Sequence, residues 1–318
     1  MKQRVQKLVT TSSKKINQLD AEILLAHVIK KSREFLFTNP DFEINFWQKI
    51  KFEHLVKQRQ KNIPVAYLVG HKEFFGLDFL VNKNVLVPRP DTELMVEETI
   101  KHLNTLSPNH NKILLVDVGT GSGCIPISIL KSIQKRNDEM SGANFVTNVS
   151  DKFPRPNPAG QFINPPKIIA IDVSKKALCV AKKNAQKHNV ETEFLHGNLL
   201  EPIFQLSELR TKNTELIITA NLPYITEQQF KQEPSIQKEP KLALVADNDG
   251  LALYEELLKQ IATFHTYPPS GRVPLSSFLE IDPTQTDKIK ILIKKYLPES
   301  NIEVKKDLAG LDRLVIIK

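Results

Sequence analysis

The chain has 318 residues, 41% of them hydrophobic and 25% charged, with a formal net charge of +8. That length exceeds the usual single domain and sets two domains as the expectation. The composition suits a soluble globular protein. No run approaches the roughly 18 apolar residues of a membrane span, and the basic N-terminus, MKQRVQKLVTTSSKKINQLD, lacks the apolar core of a secretion signal. A cytoplasmic protein without membrane contact is therefore expected. The two cysteines, Cys124 and Cys179, form no CxxC pair, so neither a disulfide framework nor a zinc site is supported, and no metal is expected. Both are expected at core-facing helix positions. The lysine excess is either a solvated surface or an attraction for an anionic partner such as nucleic acid, and charge alone does not choose.

Residues 16–38 carry apolar residues at helical spacing, and 42–60 continue in that style. With no strand–helix–strand signal before residue 70, residues 1–70 read as an N-terminal helical domain. Residues 71–87, HKEFFGLDFLVNKNVLV, hold two aromatic and β-branched runs around Asn82-Lys83-Asn84, which predicts a hairpin and makes 71–90 a linker. The following PRPDTELMVEETI feeds a helix, with Asp91 as its N-cap and Glu93 favourable in the first turn. From Lys112 onward KILLVDV, KIIAID, TEFLHG, ELIITA and LSSFLEID are short apolar runs suited to strands buried on both faces. Helical patterns at 122–135, 174–188, 250–264 and 284–296 lie between or beside them. The end, NIEVKKDLAGLDRLVIIK, reads as two strands joined by a glycine turn. The expectation is an α/β fold in which residues 91–318 form an open, mostly parallel sheet with an antiparallel hairpin at its last edge. Residues 136–166 have no sustained period and hold five prolines, which reads as a mobile surface insertion.

VDVGTGSG, residues 116–123, follows a predicted strand and opens a predicted helix. Gly119, Gly121 and Gly123 let the backbone turn sharply and let a ligand approach where a Cβ would collide. Asp117 is a carboxylate at the end of an apolar strand, costly to bury without a partner. Asp172 ends the next strand, where an acidic residue binds ribose hydroxyls in nucleotide-type folds; the alternative is a helix N-cap shared with Ser174. No Gly-Lys-Ser/Thr follows the glycines, so a phosphate-cradling loop is disfavoured. A ligand with a ribose and no phosphates fits better, and S-adenosylmethionine is the candidate.

ELIITANLPYI, residues 215–225, places Asn-Leu-Pro-Tyr directly after an apolar strand. This is either a plain turn or a clamp for a planar amide or base. As a clamp, the Asn221 side-chain oxygen would accept one N–H of the substrate and the Leu222 carbonyl the other. Pro223 would fix the backbone and Tyr224 would pack on the flat group. An amide nitrogen is a poor nucleophile, so holding it in line with a methyl donor is catalysis by orientation.

The glycine loop and the clamp together resemble class I S-adenosylmethionine-dependent methyltransferases that act on planar nitrogens. LDAEILLAHVI (19–29), PVAYLVGHKEFFGLDFLV (64–81), NVLVPRPDTELMVE (84–97), EPKLALVADNDGLALY (239–254) and KDLAGLDRLVIIK (306–318) further resemble the peptide chain release factor glutamine methyltransferases. The resemblance implies methyl transfer to the glutamine of the GGQ motif in release factors. It implies a cofactor site of Asp117, Val118, Gly119, Thr120, Gly121, Gly123, Asp172, Asn198, Leu199 and Asn221, and a substrate grip by Asn221, Leu222, Pro223 and Tyr224. Asn221, Pro223 and Tyr224 would carry catalysis, and the helical domain and PRPDTE turn would help dock the release factor. A monomer with no direct nucleic-acid substrate is implied. PRPDTE itself reads as a helix entry and interdomain strut or as part of that docking surface, without a catalytic role.

Four positions depart from the family pattern: Leu222 where proline is commoner, Asn198 and Leu199 where Asp and an aromatic are common, and Asp282 where glycine is common. Asn-Leu-Pro-Tyr also occurs in ribosomal RNA adenine dimethyltransferases, but those lack the helical domain and PRPDTE segment. DNA adenine methyltransferases carry a target-reading domain, and no recognition-helix pattern is evident here. A methyltransferase for a ribosomal-protein glutamine and a non-catalytic S-adenosylmethionine-binding module remain as alternatives.

Overall fold

The computed structural model describes residues 3–106, 112–141, 165–204, 206, 214–266 and 275–318. In chain order the elements are β1 (Gln3–Arg4), α1 (Val5–Ser12), α2 (Gln18–Ile29), α3 (Arg33–Thr38), β2 (Glu43–Ile44), α4 (Phe46–Arg59) and α5 (Val65–Val69). Then come β3 (His71–Phe74), β4 (Leu77–Leu80), α6 (Glu93–Thr105), β5 (Lys112–Val118), α7 (Cys124–Ser141), β6 (Lys167–Asp172), α8 (Lys175–His188) and β7 (Glu193–His196). The last are β8 (Thr214–Ala220), α9 (Glu227–Gln232), α10 (Ala252–Thr266), β9 (Leu275–Glu280), α11 (Thr286–Tyr296), β10 (Ile302–Lys306) and β11 (Asp312–Ile317).

The first elements share one apolar cluster that includes Val5, Leu24, Leu25, Ile44, Phe52 and Val56. The continuous helix suggested for 16–38 is broken. Lys30 ends α2 in the left-handed conformation and Ser32 caps α3 through its side chain. Gln3–Arg4 pairs antiparallel with Glu43–Ile44, a short ladder that the helical periodicity did not reveal.

The hairpin lies elsewhere than the Asn82-Lys83-Asn84 reading placed it. β3 and β4 pair antiparallel across Phe75-Gly76, both at positive φ. Gly76 adopts that conformation at no steric cost. Phe75 is held there as the Glu93 carboxylate accepts its N–H at 2.9 Å. Asp91 is not an N-cap either. A 3-10 turn, Pro90–Thr92, leads into α6, and Asp91 instead lies 3.5 Å from Arg313 of β11.

The main sheet has the order β10-β11-β9-β8-β5-β6-β7, parallel through the five strands from β9 to β7 and antiparallel at the β10–β11–β9 edge. Alternate residues of β5 serve two cores. Leu114, Val116 and Val118 pack toward α10 and α11 with Tyr254, Leu257, Ile261 and Ile289, whereas Leu115 packs with Met95, Ile100, Ile129 and Ile133. A strand covered on both faces needs apolar residues at every position, which is why KILLVDV shows no alternation. β5 is the first strand of the parallel set yet sits centrally, with β8 on one side and β6 on the other. Where the winding reverses, the carboxyl ends of the strands open a crevice.

α7 continues to Ser141, so residues 136–141, assigned above to an insertion, are helical. The rest of the insertion reading, from residue 142 to 164, lies outside the described residues. Cys124 is buried as expected, but Cys179 is exposed on the outer face of α8. No helix among the described residues is long and apolar enough to cross a membrane.

Candidate active site

A cleft of about 260 Å³ opens at the carboxyl ends of β5, β6, β7 and β8. Val118, Gly119, Thr120, Gly121, Asp172, Asn198, Leu199, Asn221, Leu222 and Pro223 all line it, although they come from four separate strand ends. Asp117, Gly123 and Tyr224 stand behind the wall.

The glycine loop is built from backbone. The N–H groups of Gly119 and Thr120 donate to the Ile171 carbonyl at 2.9 and 3.0 Å, which fastens the loop to β6. Gly119 has φ +72°, and a Cβ there would approach Leu222 Cδ2 to 3.1 Å. The left-handed backbone favours glycine here, and the nearby Leu222 side chain leaves little room for a Cβ. Gly123 has φ +79°, and a Cβ there would meet Ile127 at 3.0 Å and Ala181 at 3.2 Å, so its role is helix packing.

Asp172 joins the two readings made of it. Its Oδ2 accepts from Gly121 N–H at 2.9 Å and its Oδ1 from Ser174 N–H at 2.8 Å, while the Ser174 side chain caps α8. The carboxylate is thereby fixed at the cleft wall with lone pairs to spare. Burial raises its pKa, and the two backbone donors and His196 oppose the rise.

Asp117 is fully buried. Thr219 Oγ1 donates to its Oδ1 at 2.7 Å, and its Oδ2 has no hydrogen-bond partner. Burial pushes its pKa up to about 7, against the pull of the Thr120 and Thr219 hydroxyls. Asp117 therefore braces β5 against β8 from behind the cleft.

The clamp is held by side chains. Asn221 Nδ2 donates to Thr92 Oγ1 at 3.0 Å, which leaves the amide oxygen as its acceptor end. No described hydrogen bond reaches the Leu222 carbonyl; the Leu222 N–H donates to the Tyr254 hydroxyl at 3.2 Å, and Tyr254 in turn donates to the Glu280 carbonyl. The Tyr224 hydroxyl donates to Glu280 Oε1 at 3.3 Å, and Gln285 Nε2 donates to the Tyr224 carbonyl at 2.9 Å. Asp282 explains itself here. It caps the 3-10 turn Pro283–Gln285 in a reciprocal capping box with Gln285, and so presents Gln285 to the clamp. Gly250, at φ +80°, lies so close that any Cβ would collide with the Tyr224 carbonyl.

The residues missed by sequence reasoning close the cleft from the other side. The segment 84–89, Thr92, Pro240, Leu242 and Ala243 all line it. Buried Glu239 ties the two segments together: it accepts from Val87 N–H at 3.0 Å and pairs with Arg89 at 2.5 Å. Thr92 belongs to PRPDTE, whose spacing gives no sign of contact with Asn221. At the β7 end Asn198 Nδ2 donates to Glu201 Oε1 at 3.1 Å, and buried Leu199 turns the chain at φ +47°.

A doubly wound sheet with a glycine loop after its central strand and an Asn-Leu-Pro-Tyr clamp after the adjacent one defines a class I methyltransferase. The catalytic domain of hMettl16, solved with an RNA hairpin, has the same fold: TM-score 0.52, 12% identity, and 92% of each chain covered. The family described as the PrmC N-terminal domain matches residues 5–70. The release factor glutamine methyltransferase of Enterococcus faecalis is 36% identical over 80% of this chain and 75% of its own. That of Coxiella burnetii is 32% identical over 98% of this chain and 95% of its own. The chain belongs to the release factor glutamine methyltransferase family.

Proposed function

We infer that the protein methylates the side-chain amide nitrogen of the glutamine in the GGQ motif of peptide chain release factors, with S-adenosylmethionine as donor. The observation that carries this reading is the placement of Asn221. It stands at the end of β8 on the same cleft as the glycine loop and Asp172, with its amide nitrogen already committed to Thr92.

The residues suit such a donor. Asp172 presents an oriented carboxylate for ribose hydroxyls, and Gly119 and Gly121 leave the backbone open to close approach. Leu199 and Val173 offer apolar surface for a base, with Asn198 beside them. S-adenosylmethionine, when bound, supplies an electrophilic methyl group. The chain's own residues orient the acceptor. The Asn221 oxygen accepts one amide N–H of the glutamine and the Leu222 carbonyl the other, so the nitrogen keeps one direction of approach. Pro223 holds these acceptors in place, and Tyr224, anchored at both ends by Glu280 and Gln285, stiffens the turn. No strong base is needed, because the proton can leave after the nitrogen has become cationic.

In the proposed division of labour residues 1–70 dock the release factor, 71–90 link, and 91–318 carry the chemistry, in a cytoplasmic monomer. The test is incubation with labelled S-adenosylmethionine and a release factor, native or with the GGQ glutamine changed to alanine. Label should appear in the native factor alone. Label that persists in the altered factor overturns the assigned site, and label found only in ribosomal RNA points to an adenine methyltransferase.

A further inference from the structure

The formal charge is not spread evenly along the chain. Residues 1–70 hold 13 Lys and Arg against 6 Asp and Glu, so +7 of the +8 falls on the helical domain. Within that domain α4 has two unlike faces. Phe52, Leu55 and Val56 are buried in the domain's apolar cluster. At 3.6 residues per turn Phe46, Trp47, Ile50, Lys51 and Lys57 fall on the opposite side. All five are exposed, Trp47 at 76%, Phe46 at 59% and Ile50 at 43%. Large apolar side chains grouped in water in this way mark a binding surface. No residue of α4 lines the cleft, so this surface is separate from the methyl-transfer site.

We propose that the outward face of α4 is a docking site for single-stranded RNA, with bases stacked on Trp47 and Phe46 and phosphates paired with Lys51 and Lys57.

The aromatic part suits flat ligands. Phe46 and Trp47 meet edge to face at 5.6 Å, so each ring is steadied by the other while most of its surface stays in water. Bases of any sequence stack on such rings. The cationic part suits phosphates. All three arginines of the domain are committed to its own carboxylates: Arg4 to Asp41, Arg33 to Glu22 and Arg59 to Asp20. Lys51 and Lys57 have no ion pair among the described residues. The one acid of α4, Glu53, is paired with Lys49 at 3.7 Å. The Lys51 charge is felt nearby: burial first, and then Lys51, hold the His27 imidazole below its usual pKa.

Protein–protein interfaces combine aromatic residues with arginine and are poor in lysine. The planar guanidinium matches a carboxylate through two parallel hydrogen bonds, whereas a lysine is a point charge on a flexible stem that can follow a phosphate backbone. Exposed rings beside unpaired lysines, with every arginine of the domain already paired, therefore fit a nucleic acid better than an acidic protein. The strand must be single, because a duplex keeps the faces of its bases stacked on one another. RNA is the nucleic acid of translation, the setting of the proposed substrate.

The test uses the full-length protein, without donor or release factor, and a uridine dodecamer as probe. Trp47 is the chain's single tryptophan, so its emission reports on this face directly. The dodecamer should quench it saturably, and the anisotropy of a labelled dodecamer should give the same dissociation constant. Phe46→Ala and Trp47→Ala should each weaken binding about tenfold, at native melting temperature because both side chains face water. Lys51→Gln with Lys57→Gln should flatten the fall of log affinity with log salt by about 0.7 per lysine. Lys182→Gln with Lys183→Gln on α8, an equal loss of charge, should leave it unchanged. Absence of quenching, native affinity in Trp47→Ala, an equal effect of the α8 pair, or a duplex bound as tightly as the single strand overturns the proposal. A raised KM for a release factor in the α4 variants, with RNA binding unchanged, also overturns it and assigns the face to protein docking. The binding assay involves no methyl transfer, so its outcome is independent of whether a release factor is methylated.

Discussion

The two halves of the cleft are made in different ways. On the glycine-loop side the contacts are backbone to backbone or backbone to carboxylate: Gly119 and Thr120 on Ile171, and Gly121 and Ser174 on Asp172. On the clamp side they are made by side chains from elements far apart in sequence: Thr92 to Asn221, Tyr224 to Glu280, and Gln285 to Tyr224. A backbone-built site follows wherever the fold forms, whereas a side-chain-built site depends on each member. Substitutions on the clamp side should therefore separate turnover from donor binding, and those on the loop side should not.

The largest separation is expected for Asn221→Ala. Turnover should fall by about 10²-fold or more, some 2.7 kcal/mol of barrier, while calorimetry finds donor affinity within a few-fold of native. Near-native turnover would refute the clamp. Gly250→Ala comes next. The left-handed backbone alone costs a residue with a Cβ about 1–2 kcal/mol, and the collision with the Tyr224 carbonyl adds to it. Melting temperature and kcat should drop together; an unchanged kcat would mean that the Tyr224 turn does not matter. On the loop side, Asp172→Ala should weaken the donor by about 1.5–3 kcal/mol, the worth of hydrogen bonds to a charged group, read as a shift in dissociation constant. Asp282→Ala should cost about 1 kcal/mol as a lost cap, and Asp282→Asn should restore it in thermal unfolding.

The last prediction concerns pH. Asp117 and Glu280 have folded pKa values raised to about 7 from 3.8 and 4.5. Over that interval the folded state keeps protons that the unfolded chain has released. Stability is therefore lost as pH rises from about 4 through 7. Chemical denaturation midpoints should decline over this range, and Asp117→Asn should flatten the decline. A midpoint that rises instead would show that these carboxyls are not held protonated by burial.

Much of the fold was legible. KILLVDV and KIIAID became β5 and β6 residue for residue, because strands covered on both faces have an unmistakable apolar run. The misreadings share one cause. Asn82-Lys83-Asn84 has stronger turn composition than Phe75-Gly76, but Glu93, 18 residues on, holds Phe75 in the left-handed region. Asp91 looks like a cap until Arg313 arrives from the last strand. In each case a distant side chain outweighed a local preference.

The same division runs through the site. The sequence by itself determined the glycine loop, Asp172 at its strand end and the Asn-Leu-Pro-Tyr turn, because each is a local requirement on backbone conformation or residue type. Only the tertiary structure decided that Thr92 would meet Asn221 across 129 residues and that Glu280 would lie buried behind both. It likewise decided that Asp117 would brace the sheet and not line the cleft. Hydrogen bonds between side chains leave no periodicity in the chain; they exist only once packing has excluded water and brought the partners within reach.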